Sequence, residues 1–431
     1  MFPKVSVIMP SYNVGLYIKK CLNSVVNQTM TDIEILCIDA GSTDGTLESI
    51  EKIASADSRI KLIHSDKKSY GYQVNMGLKL AKGEYIAIIE TDDFIELNMF
   101  EKLYNIAVNN NLDYVKGEFF TFTDDESSKI ISKTCGTYDF LYNKIINPAD
   151  YSFLYNLDSN LWKGLYKKQF LSEQNITLNE TPGAAYQDIG FLMQTISKAR
   201  KAMYVPESYY WYRVDREGSS SVNVNTLKYV YQEFVWLFDT KRVDISGNNY
   251  KKMALCYLYE LEKFVLNNTD IEKTDIFKAY NWLKNELLDA ISSGKLDSNF
   301  IPKDRWILLK LALSDYSAFK LYVCENNNAK ENQVKEIIRK ATGKNIVVWG
   351  CGMHGKNIAE LLSPYKNENI VYTDGNNSVW NTFIDRFSVV SPSECFKKYK
   401  DALYVISSTK YSNEIYSELN DNGITNVYIW K

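Results

Sequence analysis

The residues best suited to chemistry follow short apolar runs. Tyr85-Ile-Ala-Ile-Ile89 leads into Glu90-Thr91-Asp92-Asp93, which sets adjacent carboxylates at the end of a strand-length segment. Neighbouring carboxylates repel unless a cation or a helix terminus compensates. Oxygen ligands without His or Cys suit Mg or Mn held together with a substrate phosphate, and a helix cap with a solvated neighbour is the structural alternative. Pro10-Ser11-Tyr12-Asn13 follows the first apolar run and Asp39-Ala40-Gly41-Ser42-Thr43 the second. Taken singly, Asn13 and Ser42 or Thr43 read equally as caps of the helices that follow. The chain holds 2 histidines, His64 and His354, so carboxylates must carry the acid, base and metal roles.

These residues need a scaffold that presents strand ends. From residue 4 to about 118, runs at Val5 to Met9, Ile33 to Ile38, Ile60 to Ile63 and Tyr85 to Ile89 alternate with stretches at helical spacing, a repeated βαβ pattern. That pattern predicts an α/β fold with a mainly parallel sheet whose ligands bind beyond the carboxyl ends of the strands. Residues 120 to 225 are irregular and aromatic, residues 226–338 read as a helical connector, and at Asn345 the βαβ signature returns. The expected organisation is thus 1–225, 226–338 and 339–431, the last a small Rossmann-like α/β domain.

Composition excludes several classes. A net charge of -3 provides no global basic field for nucleic acid. The longest apolar runs fall short of the roughly 20 residues that span a bilayer. The start, Met1-Phe-Pro-Lys-Val-Ser6, lacks a signal-peptide layout, so a cytoplasmic location is expected. Seven scattered cysteines without C-x-x-C spacing are expected to be reduced thiols.

Taken together, Val7-Ile-Met-Pro-Ser-Tyr-Asn13, Cys21-Leu-Asn-Ser-Val25, Glu34-Ile-Leu-Cys-Ile-Asp-Ala-Gly-Ser-Thr-Asp-Gly-Thr46, Ala81-Lys-Gly-Glu-Tyr-Ile86 and Glu90-Thr-Asp-Asp93 resemble the inverting glycosyltransferase family 2, with its GT-A fold. The resemblance covers about the first 220 residues. It implies metal-assisted transfer of a hexosyl or N-acetylhexosaminyl group from a nucleotide-diphosphate donor, usually a UDP-sugar, to a hydroxyl of a glycan or lipid-linked saccharide in surface polysaccharide or glycoconjugate synthesis. It places Pro10, Ser11, Tyr12, Asn13, Asp39, Gly41, Gly71, Asn75, Thr91 and Asp92 around the donor nucleotide. Asp92 and Asp93 match the DxD-type motif for Mn or Mg, with Asp93 the expected metal ligand and Asp92 nearer the ribose. Asp188, in Gln187-Asp188-Ile-Gly-Phe191, matches the general base. Trp162 and Gln187 fall on the acceptor side, and the stretch Tyr210-Trp-Tyr-Arg213 with Gly218-Ser-Ser-Ser221 matches the mobile segment. A guanidinium fits phosphate geometry, so Arg213 or Arg216 is a candidate for the diphosphate, a solvated surface arginine being the other reading.

Three departures from the family pattern stand out: Ala40 replaces a second acid, Glu90 replaces an Asp, and Gln73-Val-Asn75 lacks a usual arginine, for which Lys67 or Lys68 is a substitute. They leave a second reading open, a decayed nucleotide-sugar-binding or scaffold protein. Further on, Gly350-Cys-Gly-Met-His-Gly355 with Asp374 satisfies the dinucleotide fingerprint in context, and Gly350, Gly352, Gly355 and Asp374 form a candidate second nucleotide site. This part resembles small Rossmann-like domains attached to polysaccharide-biosynthesis proteins, which implies a structural or nucleotide-sensing role ahead of an NAD-dependent one. A lipid-linked acceptor would bring Lys163, Lys167, Lys168, Arg200 and Lys201 to anionic head groups at the inner membrane face. A homo-oligomer is the remaining partner expectation.

Overall fold

The computed structural model describes residues 3–123, 132–133, 140–157, 160–214, 216, 226–267, 271, 276–365, 370–384, 387–408 and 410–431. The expected 218–221 segment and Cys135 lie outside these. The chain forms two compact units, Met1–Phe120 with Thr134–Leu321 and Thr121–Lys133 with Tyr322–Lys431.

In the first unit the apolar runs form β1 (Val5–Ser11), β2 (Ile33–Asp39), β3 (Ile60–His64) and β4 (Tyr85–Ile88). β1 pairs in parallel with β2 and β4, and β2 with β3. β1 and β2 are buried along their whole length, which is why both read as continuous apolar runs rather than alternating ones. The crossovers are α1 (Ile18–Val26), α2 (Thr46–Ala54) and α3 (Tyr70–Leu80). Ser69 caps α3 by accepting from the Tyr72 N–H. After β5 (Phe94–Ile95) and α4 (Met99–Asn109) come β6 (Tyr114–Phe122), β7 (Gly164–Lys167) and β8 (Ala202–Arg213). The strand order is β3-β2-β1-β4-β7-β6-β8-β5, and β7 runs antiparallel to both β4 and β6. The sheet is therefore parallel on one side of β4 and mixed on the other. The expected parallel half occupies the βαβ stretch, and the irregular aromatic stretch supplies the antiparallel half.

Helix α5 (Gln187–Lys198) follows a tight turn, and α6 (Leu227–Asp239), α7 (Gly247–Asn267), α8 (Phe277–Ser292) and α9 (Lys303–Ser314) complete the unit. Of the stretch expected as a connector, 226–338, these helices fall in the first unit, which ends at Leu321. The fit at one crossing is close: a Cβ on Gly190 of α5 would come within 1.7 Å of the Glu233 carboxylate on α6.

Helix α10 (Tyr316–Lys340) leads into the second unit, whose strands are β9 (Ile346–Trp349), β10 (Ile370–Thr373), β11 (Thr382–Ile384), β12 (Phe387–Val390), β13 (Leu403–Ile406) and β14 (Val427–Ile429). Their order is β11-β12-β10-β9-β13-β14, with β11 antiparallel to its neighbour. Helix α11 (Met353–Leu362) opens within the glycine motif, directly after Gly352. Among the described residues no helix is long and apolar enough to cross a membrane.

Candidate active site

At the carboxyl ends of β1 and β2 the chain turns sharply, and one buried carboxylate organises the turn. Asp39 accepts from the Ser11 hydroxyl at 2.9 Å, the Gly41 and Ser42 N–H groups at 2.9 and 2.8 Å, and the Ser42 hydroxyl at 2.6 Å. Gly41 adopts φ +81, a left-handed conformation that favours glycine. Asn13 is left-handed as well, and its side chain accepts from the Thr43 N–H at 3.0 Å. Gln73 ties α3 to this floor by donating to the carbonyls of Ser11 and Ile38 at 2.8 and 2.6 Å.

Above this floor lies a cavity of about 430 Å³ lined by Pro10, Ser11, Tyr12, Ala40, Lys68 and Thr91 among others. Lys68 donates to the Tyr12 hydroxyl at 2.8 Å and lies over its ring, while the Thr91 hydroxyl donates to the Pro10 carbonyl at 3.0 Å. A second cavity of about 420 Å³ is lined by Trp162, Tyr186, Gln187, Asp188, Tyr212 and Tyr229 among others. Both cavities are lined by Tyr70, Glu90, Asp92, Ala184 and Arg216, which form their junction. There Arg216 pairs with Asp92 at 2.8 Å, and the Tyr70 hydroxyl donates to Glu90 at 2.6 Å. Burial pushes the Glu90 carboxyl up to about 8; Asp92 and Asp188 push the same way, and the Tyr70 hydrogen bond opposes them.

Behind one wall of the second cavity lies a stack of rings. Trp162 lies 4.1 Å from Tyr210 and 5.2 Å from Tyr212 between ring centroids, both pairs near-parallel. Asp188 sits in the first turn of α5, where one of its oxygens accepts from the Ile189 N–H at 2.9 Å. Burial raises its carboxyl, against the pull of that N–H and of the Lys252 ammonium.

The structure reorders several expectations. Asp93 does not face either cavity: it is 2% exposed, accepting from the Tyr210 hydroxyl and the Arg213 N–H, each at 2.7 Å. Of the two aspartates, Asp92 is the one that lines the junction, beside Glu90. Arg213 is likewise internal, donating to the Asp92 carbonyl at 2.9 Å with its guanidinium over Tyr17, and Arg216 is the arginine that reaches the cavities. Asn13, Asp39 and Gly41 lie in the floor and do not line the cavity. Asn75 stands apart from both cavities, its amide bonded to the Leu178 backbone and to Glu180. Gly71 serves the same contact, since a Cβ there would meet the Asn179 carbonyl at 1.9 Å. Gln187 is buried and clamps its own turn, accepting from the Ala185 N–H and donating to Thr181. Lys163, expected at a membrane face, is buried beside Glu118 at 3.7 Å.

The donor set suits a hard divalent cation. Among the described residues no three acidic, His or Cys side chains converge as a ready-made cage. Mg and Mn sites completed by substrate phosphates need only one or two carboxylates, and Asp92, with Glu90 beside it, offers oxygen alone. Tyr70 and Tyr229 are cavity residues that the motif-based expectation did not include, and Lys68, expected as a substitute for the missing arginine, lines the first cavity while Lys67 does not.

In the second unit packing accounts for two of the three loop glycines. A Cβ on Gly355 would meet the Gly350 carbonyl at 1.8 Å, and one on Gly350 would meet the Ser407 hydroxyl at 2.3 Å. Gly352 faces open space. Asp374 accepts from the Cys351 and Asn376 N–H groups at 2.7 and 2.8 Å.

Residues 6–167 match the family Glycosyl transferase family 2. The first unit carries a glycosyltransferase family 2 domain. Residues 342–430 match a second family, C2185-like, N-terminal. The chain is 29% identical over 222 residues to the uncharacterized glycosyltransferase EpsJ of Bacillus subtilis, which covers 49% of this chain and 62% of that protein. It is 28% identical over 221 residues to glycosyltransferase GlyG of Streptococcus pneumoniae, covering 50% of this chain and 72% of that one. The chain thus spans less than two thirds of the first of these relatives. In fold, the chain resembles residues 1–349 of S. aureus TarS in complex with UDP-GlcNAc, with a TM-score of 0.56, 18% identity, and coverage of 76% of this chain and 92% of that one.

Proposed function

We propose that this chain is an inverting glycosyltransferase that moves a sugar from a UDP-sugar to a hydroxyl of a glycan or lipid-linked saccharide. The observation that carries the reading is the pair of adjoining cavities meeting at Asp92 and Arg216, with Asp188 on the far side. The cavity over the Asp39 floor takes the nucleoside, against Tyr12 and Lys68. The diphosphate falls at the junction, where the Arg216 guanidinium matches phosphate geometry. Asp92 would hold the divalent cation, which when bound supplies positive charge against the departing diphosphate.

The acceptor enters the aromatic cavity along Trp162 and Tyr212. Its hydroxyl oxygen forms the new bond to the anomeric carbon from the face opposite the diphosphate, the old carbon–oxygen bond breaks, and its electron pair leaves with the diphosphate. Asp188 takes the hydroxyl proton. Burial makes its carboxylate a stronger base than a solvated one, which favours that transfer. The TarS complex, whose bound ligand is UDP-GlcNAc, supports trying N-acetylhexosamine donors first.

The test is nucleotide release from a panel of UDP-, GDP- and dTDP-sugars with and without manganese, with candidate glycan acceptors, for the intact protein and Asp92→Ala. One UDP-sugar is expected to turn over in a metal-dependent way that the variant loses. UDP binding without turnover of any donor, across acceptors, would replace this reading with that of a sugar-nucleotide-binding protein.

A further inference from the structure

The turn that delivers Asp188 holds an aromatic residue in a conformation that costs energy. Tyr186, immediately before α5, has φ 69, in the left-handed region. A bulky non-glycine residue there is strained and persists only where its surroundings fix it. What fixes it comes from α7, some seventy residues later and outside the residues that match the family. The Tyr186 hydroxyl donates to Glu260 at 2.5 Å; Glu260 is 3% exposed and lies 3.6 Å from the Lys263 ammonium. On the same helix, Lys252, Cys256 and Glu260 recur at intervals of four and share one face. Lys252, itself buried, is the cation whose charge reaches Asp188. Tyr186, Gln187 and Asp188 line the acceptor cavity as one continuous turn, closed by the Ile189 N–H donating to both the Tyr186 carbonyl and the Asp188 carboxylate.

We propose that Tyr186 and Glu260 form a positioning pair: α7 holds the turn in its left-handed form and so aims the Asp188 carboxylate into the acceptor cavity. This rests on Asp188 being the base. The pair touches no reacting atom, and the nucleoside cavity contains neither residue. Its removal therefore acts on the chemical step and leaves donor binding alone.

Two readouts test it. In UDP release from UDP-GlcNAc with manganese, using water or a glycan as acceptor, Tyr186→Phe and Glu260→Leu are expected to lower kcat by about 10- to 100-fold, the cost of a small misplacement, with donor KM and UDP affinity within about twofold of the parent. Glu260→Gln keeps an acceptor oxygen and restores most of kcat. A kcat for Tyr186→Phe equal to the parent's overturns the proposal, as does a parallel loss of UDP affinity, which marks a general structural role. Asp188→Asn runs alongside: if it stays active, the base reading itself falls, whereas an inactive Asp188→Asn beside a fully active Tyr186→Phe removes only the positioning pair. The second readout needs no substrate. Hydrogen exchange at the Gln187 to Ile189 amides should quicken in Tyr186→Phe while the β1 and β2 amides keep their protection, and unchanged exchange at the turn overturns the proposal independently.

Discussion

Both sheets of this chain place an aspartate at the carboxyl end of a parallel strand, beside a glycine-containing turn. Asp39 at the end of β2 gathers four donors from Ser11, Gly41 and Ser42, and Asp374 just after β10 gathers the Cys351 and Asn376 N–H groups. In each case the carboxylate ties the turn together. The units part company in what stands beyond the turn. In the first, β4 and α5 bring Glu90, Asp92 and Asp188 to the edge of a cavity. In the second, Gly355 packs on the Gly350 carbonyl and Gly350 on the Ser407 hydroxyl, while Gly352 faces open space. A glycine turn with an aspartate is thus a way of building a strand end, and the chemistry depends on which further charged groups the fold brings there.

That contrast can be broken experimentally. The largest effect is expected at Asp188: Asp188→Asn should lower kcat by about 10²- to 10⁴-fold, the usual contribution of a general base, with UDP affinity retained in titration calorimetry. Asp92→Asn should follow, with a loss of about 10²- to 10³-fold in metal-dependent turnover. Asp374→Asn, the matched change in the second unit, should leave that turnover unaltered; equal losses in the two variants would show that the units do not differ as described. Asp93→Ala sharpens the comparison within the motif. It strands the buried Tyr210 hydroxyl and Arg213 N–H, so chemical denaturation should show a destabilisation of about 1–3 kcal/mol per group, whereas Asp92→Ala, at a partly exposed site, should change stability by about 0.5 kcal/mol or less. The smallest effect is a pH response. Glu233 is lifted by burial from 4.5 to about 8, so the folded chain binds the proton more tightly than the unfolded chain between those values. Stability of the first unit should fall as pH rises through that window, and Glu233→Gln should flatten the fall in melting temperature.

The sequence made the parallel half of the first sheet legible because β1, β2 and β4 are apolar at nearly every position and the helices between them keep a 3.6-residue period. The antiparallel half was not, since β8 mixes buried and half-exposed aromatics around Pro206 and Glu207 without a clean alternation. The acidic motif could be found, but which aspartate faces the cavity could not, because Tyr210 and Arg213 decide it from more than a hundred residues away. Helix α7 was visible as a helix; nothing local in Lys252 or Glu260 connects them to Asp188. Ala40 and Gln73 stood out as departures from the family pattern, and both line the cavity above the Asp39 floor, Gln73 also tying α3 to that floor.

The four-donor hub on Asp39 has a consequence for how a ligand is received. The floor of the cavity proposed for the nucleoside already has its backbone fixed by these bonds, so under that proposal an arriving base finds a finished surface rather than one it must mould. Little chain entropy is lost on contact, and recognition there works as a template does, by the shape left over, while selection through fresh hydrogen bonds falls to the more exposed Tyr12 and Lys68 at the rim.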